Sequence, residues 1–340
     1  MKHQLAIVQH PPVMLNLQAS IETAIQYIDE AAAAGASLVI LPEAFLPGYP
    51  SWIWRLRPGG DMGLINELHT RLIANAVDID GGQLQPLYDT AARNNVTVVC
   101  GMSELDSRYS RSTLYNTVVT IGPDGTLLNR HRKLIPTNPE RTVWGRGDAS
   151  GLRVVDTPVG RIGTLICWEN YMPLARYALY AQGIDIYIAP TWDCGESWLA
   201  TMRHIAREGG CWVVGCASAI QAKDIPEDFP DRAKVFLDED EWLCSGDSTV
   251  VAPMGGPISG SHHREQSIVY AEFDPAEAAA ARRSLDVSGH YSRPDIFQLQ
   301  VNQTKLLPIT FIEDPTKAHE FYGEKYDLNP REPVAPPVIV

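Results

Sequence analysis

Short apolar runs alternate with amphipathic helical stretches through most of this chain, and no other feature limits its folding so strongly. Residues 5–9, 37–41, 97–102, 184–189 and 212–217 have the length and composition of buried strands. Between the first two, helical spacing puts Leu17, Ile21, Ala24, Ile25 and Ile28 on one face, with Asn16 placed to cap and Gly35 to stop the helix. Further helices are expected over residues 64–76, 84–93 and 173–182, and from Ser197, where Trp198, Met202, Ile205 and Ala206 share a face. Pro173 suits a first helical position because its missing N–H is not needed there.

Hairpins interrupt this alternation. Residues 115–121 and 126–133 flank Gly122-Pro123-Asp124-Gly125, and residues 153–156 and 161–167 flank Thr157-Pro158-Val159-Gly160. Two later strands are expected at 248–252 and 268–273. The pattern specifies an α/β fold in layers and argues against a purely parallel doubly wound sheet. Residues 223–241, rich in acidic side chains and carrying Pro226 and Pro230, read as a solvated excursion. From about residue 301 the periodicity is lost, and Pro333, Pro336 and Pro337 point to an extended tail.

Composition narrows the function classes. With 45% hydrophobic and 20% charged residues, the 340-residue chain can bury a sizeable core. A net charge of −13 argues against a nucleic-acid or anionic-membrane partner, either of which needs a basic footprint. The apolar run at residues 5–8 is cut short by Pro11-Pro12, and no stretch approaches the roughly 20 apolar residues of a membrane span, so the cytoplasm is the expected location. The six cysteines (Cys100, Cys167, Cys194, Cys211, Cys216, Cys244) contain no CxxC pair, which fits neither a disulfide framework nor a zinc ribbon. His262-His263 lacks partners at ligand spacing and reads as a polar hairpin tip rather than a metal site.

Three reactive side chains lie at or just after the carboxyl ends of expected strands: Glu43, Lys133 and Cys167. That edge of an α/β sheet is where side chains leave the packed core and meet ligands. A carboxylate, an ammonium and a thiol there would supply a base, a charge stabiliser and a nucleophile. Each has a plainer alternative: a turn-capping carboxylate, a solvated strand-end cation and a buried strand cysteine. Lys133 is the only lysine between Lys2 and Lys223, beside Arg130 and Arg132, which favours a need for a compact ammonium. The helix expected at Pro173 would lower the Cys167 pKa through its N-terminal dipole and make this thiol the first to react with an alkylator.

Taken together these segments resemble the nitrilase superfamily, and its true nitrilase branch in particular. The likeness is carried by Leu41-Pro42-Glu43 with Gly48-Tyr49-Pro50, by His131-Arg132-Lys133-Leu134 running on to Glu140-Arg141-Thr142-Val143-Trp144-Gly145, and by Cys167-Trp168-Glu169-Asn170-Tyr171-Met172-Pro173. Ala189-Pro190-Thr191, Arg203-His204-Ile205-Ala206 and Gly289-His290-Tyr291-Ser292-Arg293-Pro294-Asp295 extend it, so that it covers roughly residues 4–297. The resemblance implies a four-layer αββα sandwich over residues 1–300; residues 301–340 lie outside it and are expected to form an extended tail, with an oligomer interface as one place for it. It implies a homo-oligomer, a dimer that often grows into spirals, and no metal or organic cofactor.

The chemistry so implied is hydrolysis of an organic nitrile to a carboxylic acid and ammonia through a cysteine thioimidate and thioester. Cys167 would be the nucleophile, Glu43 the base, Lys133 and the Trp168 amide the stabilisers, and Glu140 a second glutamate that positions the lysine and substrate. Tyr49, Trp54, Trp168, Thr191 and Trp192 are the expected substrate-binding residues, with Trp52 close by, and so many rings favour an aromatic or bulky apolar nitrile. The alternatives are an amidase or carbamoylase with the same triad, a cyanide-hydrating relative, and a filament-forming scaffold without activity.

Overall fold

Alternation within the first strand already requires more than two layers. In β1 (His3–Gln9), Leu5 and Ile7 point to one side, Ala6 and Val8 to the other, and all four are fully buried. A sheet apolar on both faces must be covered on both. The computed structural model, which describes residues 1–260 and 262–309, does this with helices on one face and a second sheet on the other.

In chain order the elements are β1, α1 (Leu17–Ala33), β2 (Leu38–Ile40), α2 (Met62–Asn75), α3 (Gln85–Asn94), β3 (Thr97–Leu105), β4 (Leu114–Ile121), β5 (Leu127–Arg132) and β6 (Trp144–Gly145). Then come β7 (Val154–Thr157), β8 (Gly160–Thr164), α4 (Pro173–Tyr180), β9 (Ile186–Thr191), α5 (Glu196–Gly209), β10 (Trp212–Ala217) and β11 (Ala219–Gln221). The last are α6 (Arg232–Val235), β12 (Trp242–Ser245), β13 (Thr249–Val251), β14 (Ser267–Phe273) and α7 (Ala276–Arg282).

The first sheet runs β14-β1-β2-β3-β4-β5, with β6 added on β4, and the second runs β13-β10-β9-β8-β7. Ala6, Val8, Val39 and Val98 pack under α1 and α3, while Leu5, Ile7, Leu38 and Val99 meet Ile162, Ile186, Ile188 and Val214 of the second sheet. On that sheet's far side Tyr187, Ala189 and Val213 pack under α4 and α5. The order is helix, sheet, sheet, helix: the expected αββα sandwich. Each fully buried Leu or Ile contributes roughly 1.5–3 kcal/mol to holding these layers together.

The second half of the expected 153–167 hairpin is shorter than its sequence implies. β8 ends at Thr164, and Cys167 opens a 3-10 turn, Cys167–Tyr171. Residues 223–241 are not simply a solvated excursion: Phe229, Val235 and Phe236 are buried in a satellite core with Trp52, α2 and the β11–β12 hairpin. Trp52 is therefore core, with Phe229 at 5.9 Å, and not a pocket or interface ring. The residues up to Leu306 form one compact unit; within it Leu306 N–H donates to Asp148 and Gln303 reaches Leu152 O. The expected proline-rich tail lies outside the described residues from 310 onward. Among the described residues no helix is long and apolar enough to cross a membrane.

Candidate active site

Three strand ends converge on the site. β2 and β5 are separated in the sheet by β3 and β4, and the two antiparallel steps make them run the same way, so both carboxyl ends reach one edge. Glu43 follows β2, Lys133 follows β5, and Cys167 follows β8 of the opposing sheet. Gly101 on β3 allows the Glu43 loop to pass: a Cβ there would lie 2.2 Å from Pro42 O and 2.8 Å from Glu43 Cα.

Lys133 is fully buried and clamped by two carboxylates. Its Nζ donates to Glu43 Oε1 at 2.9 Å and to Glu140 Oε2 at 2.7 Å. Burial works against its charge, but Glu43, Cys167 and Glu140 outweigh burial and hold the ammonium above its usual range. Glu140 is held on both oxygens: Oε2 also accepts from Thr137 N–H at 2.7 Å, and Oε1 from the Tyr49 hydroxyl at 2.7 Å. Glu43 Oε1 accepts a second bond, from Asn116 Nδ2 at 2.7 Å. Its other oxygen, Oε2, is buried and has no hydrogen-bond partner among the described residues. Burial raises the Glu43 pKa, Lys133 opposes that, and Glu140 adds to it.

Cys167 is buried, with φ at +52°, a left-handed conformation that costs a residue with a Cβ about 1–3 kcal/mol and marks a position held by its surroundings. Its thiol hydrogen-bonds Thr191, and the charges of Glu43, Lys133 and Glu140 all act on it. The expected lowering of its pKa by a helix dipole is overturned. Burial pushes the thiol up to about 12, with Glu43 adding to the effect, and α4 starts only beyond the 3-10 turn. The resting thiol is therefore neutral.

Three polar residues that sequence reasoning did not single out hold this arrangement in place. Glu169 is buried between the loops that carry Lys133 and Cys167: Oε1 accepts from Leu134 N–H at 2.7 Å, Oε2 from Ile166 N–H at 2.6 Å, and His131 Nε2 lies 3.1 Å from both. It thus joins the residue after Lys133 to the residue before Cys167. Asn170 donates to Cys167 O at 2.7 Å and accepts from Tyr187 OH at 2.7 Å. Asn116 orients Glu43 and accepts the Lys133 backbone N–H at 2.7 Å. Glu169 and Asn170 stand beside Cys167 in sequence, but their bonds to Leu134, His131 and Tyr187, 17 to 38 residues away, leave no local signal.

The expected substrate-binding residues divide. Thr191 ends β9 against the Cys167 thiol, and Trp192 stacks on Tyr49 with centroids 4.3 Å apart and planes 8° from parallel. Trp54, 49% exposed, lies one step outward with its Nε1 donating to the Tyr49 hydroxyl at 3.1 Å. Trp168, 47% exposed, donates from Nε1 to Asp193 Oδ2 at 2.9 Å.

Comparison with known proteins gives the family. Residues 4–283 match the carbon-nitrogen hydrolase family model. The chain is 40% identical to nitrilase 2 of Arabidopsis thaliana, over 92% of this chain and 93% of that one. It is 39% identical to an aliphatic nitrilase of Sinorhizobium fredii (strain HH103), over 89% and 96%. The crystal structure of a carbon-nitrogen hydrolase from Helicobacter pylori G27 superposes with a TM-score of 0.65 at 19% identity, covering 87% of this chain and 97% of that one, and shows the same fold. The chain belongs to the carbon-nitrogen hydrolases, an enzyme of the nitrilase branch of the nitrilase superfamily.

Proposed function

We propose that this enzyme hydrolyses an organic nitrile to a carboxylic acid and ammonia, with Cys167 as nucleophile, Glu43 as general base, and Lys133 and Glu140 as the charged frame. The observation that carries this reading is Glu43 Oε2, a buried and unpartnered carboxylate oxygen whose sister oxygen is fixed by Lys133 and Asn116. A neutral thiol with a pKa near 12 needs such an acceptor.

Cys167 gives its proton to Glu43 as its sulfur bonds to the nitrile carbon, and one C–N π bond passes its electrons to nitrogen. Glu43 passes that proton to the nitrogen, which yields a thioimidate and leaves Glu43 ionised again. Water activated by Glu43 adds to the carbon, the C–N bond breaks with ammonia leaving, and a thioester remains. A second water cleaves the C–S bond and returns the thiol. Lys133 and the Trp168 amide, at the start of the 3-10 turn, stabilise the tetrahedral states.

The stacked Tyr49–Trp192 pair beside Thr191, with Trp54 behind it, supports a preference for aromatic or arylalkyl nitriles. An aliphatic nitrilase among the relatives makes the opposite preference the competing reading. The test is a panel of phenylacetonitrile, benzonitrile, acetonitrile and the matching amides, scored for acid, amide and ammonia. A higher kcat/KM for the aryl compounds supports the preference; turnover of amides alone replaces nitrile hydrolysis with amidase activity.

The enzyme acts in the cytoplasm, where scattered cysteines without disulfide spacing are suited to a reducing environment. It assembles as a homo-oligomer, a reading supported by exposed Leu174, Tyr291 and Phe297. Light scattering tests this, and a fully active monomer would overturn it.

A further inference from the structure

The turn that carries the nucleophile is held from outside as well as from inside. Inside, Glu169 accepts from Ile166 N–H, and Asn170 donates to Leu165 O and Cys167 O. Outside, Trp168 and Tyr171, both exposed, turn to Asp193 in the loop after β9. Trp168 Nε1 donates to Asp193 Oδ2 at 2.9 Å, and the Tyr171 hydroxyl donates to the same oxygen at 3.3 Å. The two rings meet edge to face with centroids 5.8 Å apart, and Tyr171 also rests on the buried Trp198 of α5.

Asp193 is itself a fixed post. Its Oδ1 accepts from Cys194 N–H at 2.9 Å, and its own N–H donates to Thr191 Oγ1 at 2.8 Å. At the far end of the loop, Gly195 N–H donates to the buried Asp247 at 3.0 Å. Closing its own loop takes Oδ1 alone, so a local turn does not explain why Oδ2 gathers two donors from 25 and 22 positions back. The nucleophile's turn needs such a hold. Cys167 stands at φ +52°, where a side chain is disfavoured, and keeps that shape only while its surroundings impose it.

We propose that Asp193 is a positioning residue for the hydrolysis: by holding Trp168 and Tyr171 on one oxygen, it fixes the turn that follows Cys167 and with it the Trp168 N–H that meets the developing charge. This rests on the reading of Cys167 as nucleophile and of the Trp168 amide as stabiliser. Asp193 acts through the turn rather than on the reacting atoms. An amide donor stabilises a tetrahedral state only while it stays within hydrogen-bond range of the atom that gains charge, and that state forms after the substrate has bound. Loosening the turn therefore lowers kcat and leaves KM nearly unchanged.

The test measures kcat and KM of the full chain on whichever nitrile or amide wild type turns over fastest, so a switch from nitrile to amide activity leaves it intact. Circular dichroism at the assay temperature checks that each variant is folded, and Cys167→Ala, run alongside, reports on the nucleophile separately. Asp193→Ala should lower kcat by about tenfold or more, with KM within about twofold of wild type. Asp193→Asn, which can still present one oxygen to both donors, should recover most of that loss. Trp168→Phe combined with Tyr171→Phe removes both donors but keeps an aromatic ring at each position and the backbone N–H. This pair should reproduce the fall in kcat, and adding Asp193→Ala to it should cost little more. A normal kcat in Asp193→Ala, a change confined to KM, an Asp193→Asn variant as slow as Asp193→Ala, or fully additive losses in the triple variant would each overturn the proposal.

Discussion

Tyr49 donates its hydroxyl to Glu140 Oε1 at 2.7 Å, and the other oxygen of Glu140 holds Lys133 at 2.7 Å, so a ring expected to line the pocket is also an anchor for the charged frame. Burial and the neighbouring Glu140 and Glu43 raise the Tyr49 pKa well above the ordinary phenol range, so the hydroxyl stays a donor at any working pH.

Tyr49→Phe keeps the ring and its stack on Trp192 but leaves Glu140 Oε1 without this bond. A loss of about 1–3 kcal/mol is expected from a buried carboxylate so deprived, read as roughly a tenfold or larger fall in kcat with little change in KM. A change confined to KM would make Tyr49 a pocket ring alone.

Lys133→Arg should be nearly as inactive as Lys133→Ala. Nζ occupies a fully enclosed position between two carboxylates, and a planar guanidinium is too large to keep both contacts. Lys133→Ala leaves two buried carboxylates facing each other and should also lose about 3–5 kcal/mol of stability. Denaturant titration and ammonia release measure both. Full activity in the arginine variant would contradict the clamp.

Glu43 has its pKa raised by burial, so the folded state holds that proton more tightly than the unfolded chain does. Ionising Glu43 therefore costs stability, in full at pH values above its folded pKa; the cost shrinks as pH falls through that value and vanishes only below the unfolded one. Glu43→Gln should abolish turnover without lowering the melting temperature at neutral pH. In wild type the acid limb of kcat/KM should lie above the ordinary carboxylate value of 4.5, because the base works only when ionised. A variant that melts well below wild type, or an acid limb at or below that value, would deny Glu43 this role.

Glu169→Gln must point an amide NH2 at the N–H of either Leu134 or Ile166, breaking the bridge between the two loops. A stability loss of about 1–3 kcal/mol is expected. Because the bridge sets the spacing of Lys133 and Cys167, kcat should fall by about tenfold or more even at temperatures where the variant is fully folded. Normal kcat in the folded variant would leave Glu169 a purely structural residue.

The layers were legible because strand and helix periods are local, and Glu43, Lys133 and Cys167 because each lies at or just after the end of an expected strand. What escaped is what depends on distant partners. Asn116 sits inside a hairpin strand with nothing to mark it until Glu43, 73 positions away, arrives at its side chain. The short β11 carries too few residues to show a period, and residues 223–241 are acidic enough to hide Phe229, Val235 and Phe236, which face the core. The expected helix-dipole effect on Cys167 failed because burial outweighs a dipole that begins several residues later.

The nucleophile is tested most directly by Cys167→Ala, assayed for ammonia release from phenylacetonitrile alongside wild type. Alanine retains a Cβ and so meets the +52° backbone as cysteine does, which keeps folding comparable. Turnover at background with a melting temperature close to wild type is the expected result; ammonia release at the wild-type rate would contradict the assignment of Cys167, and with it the whole reaction path.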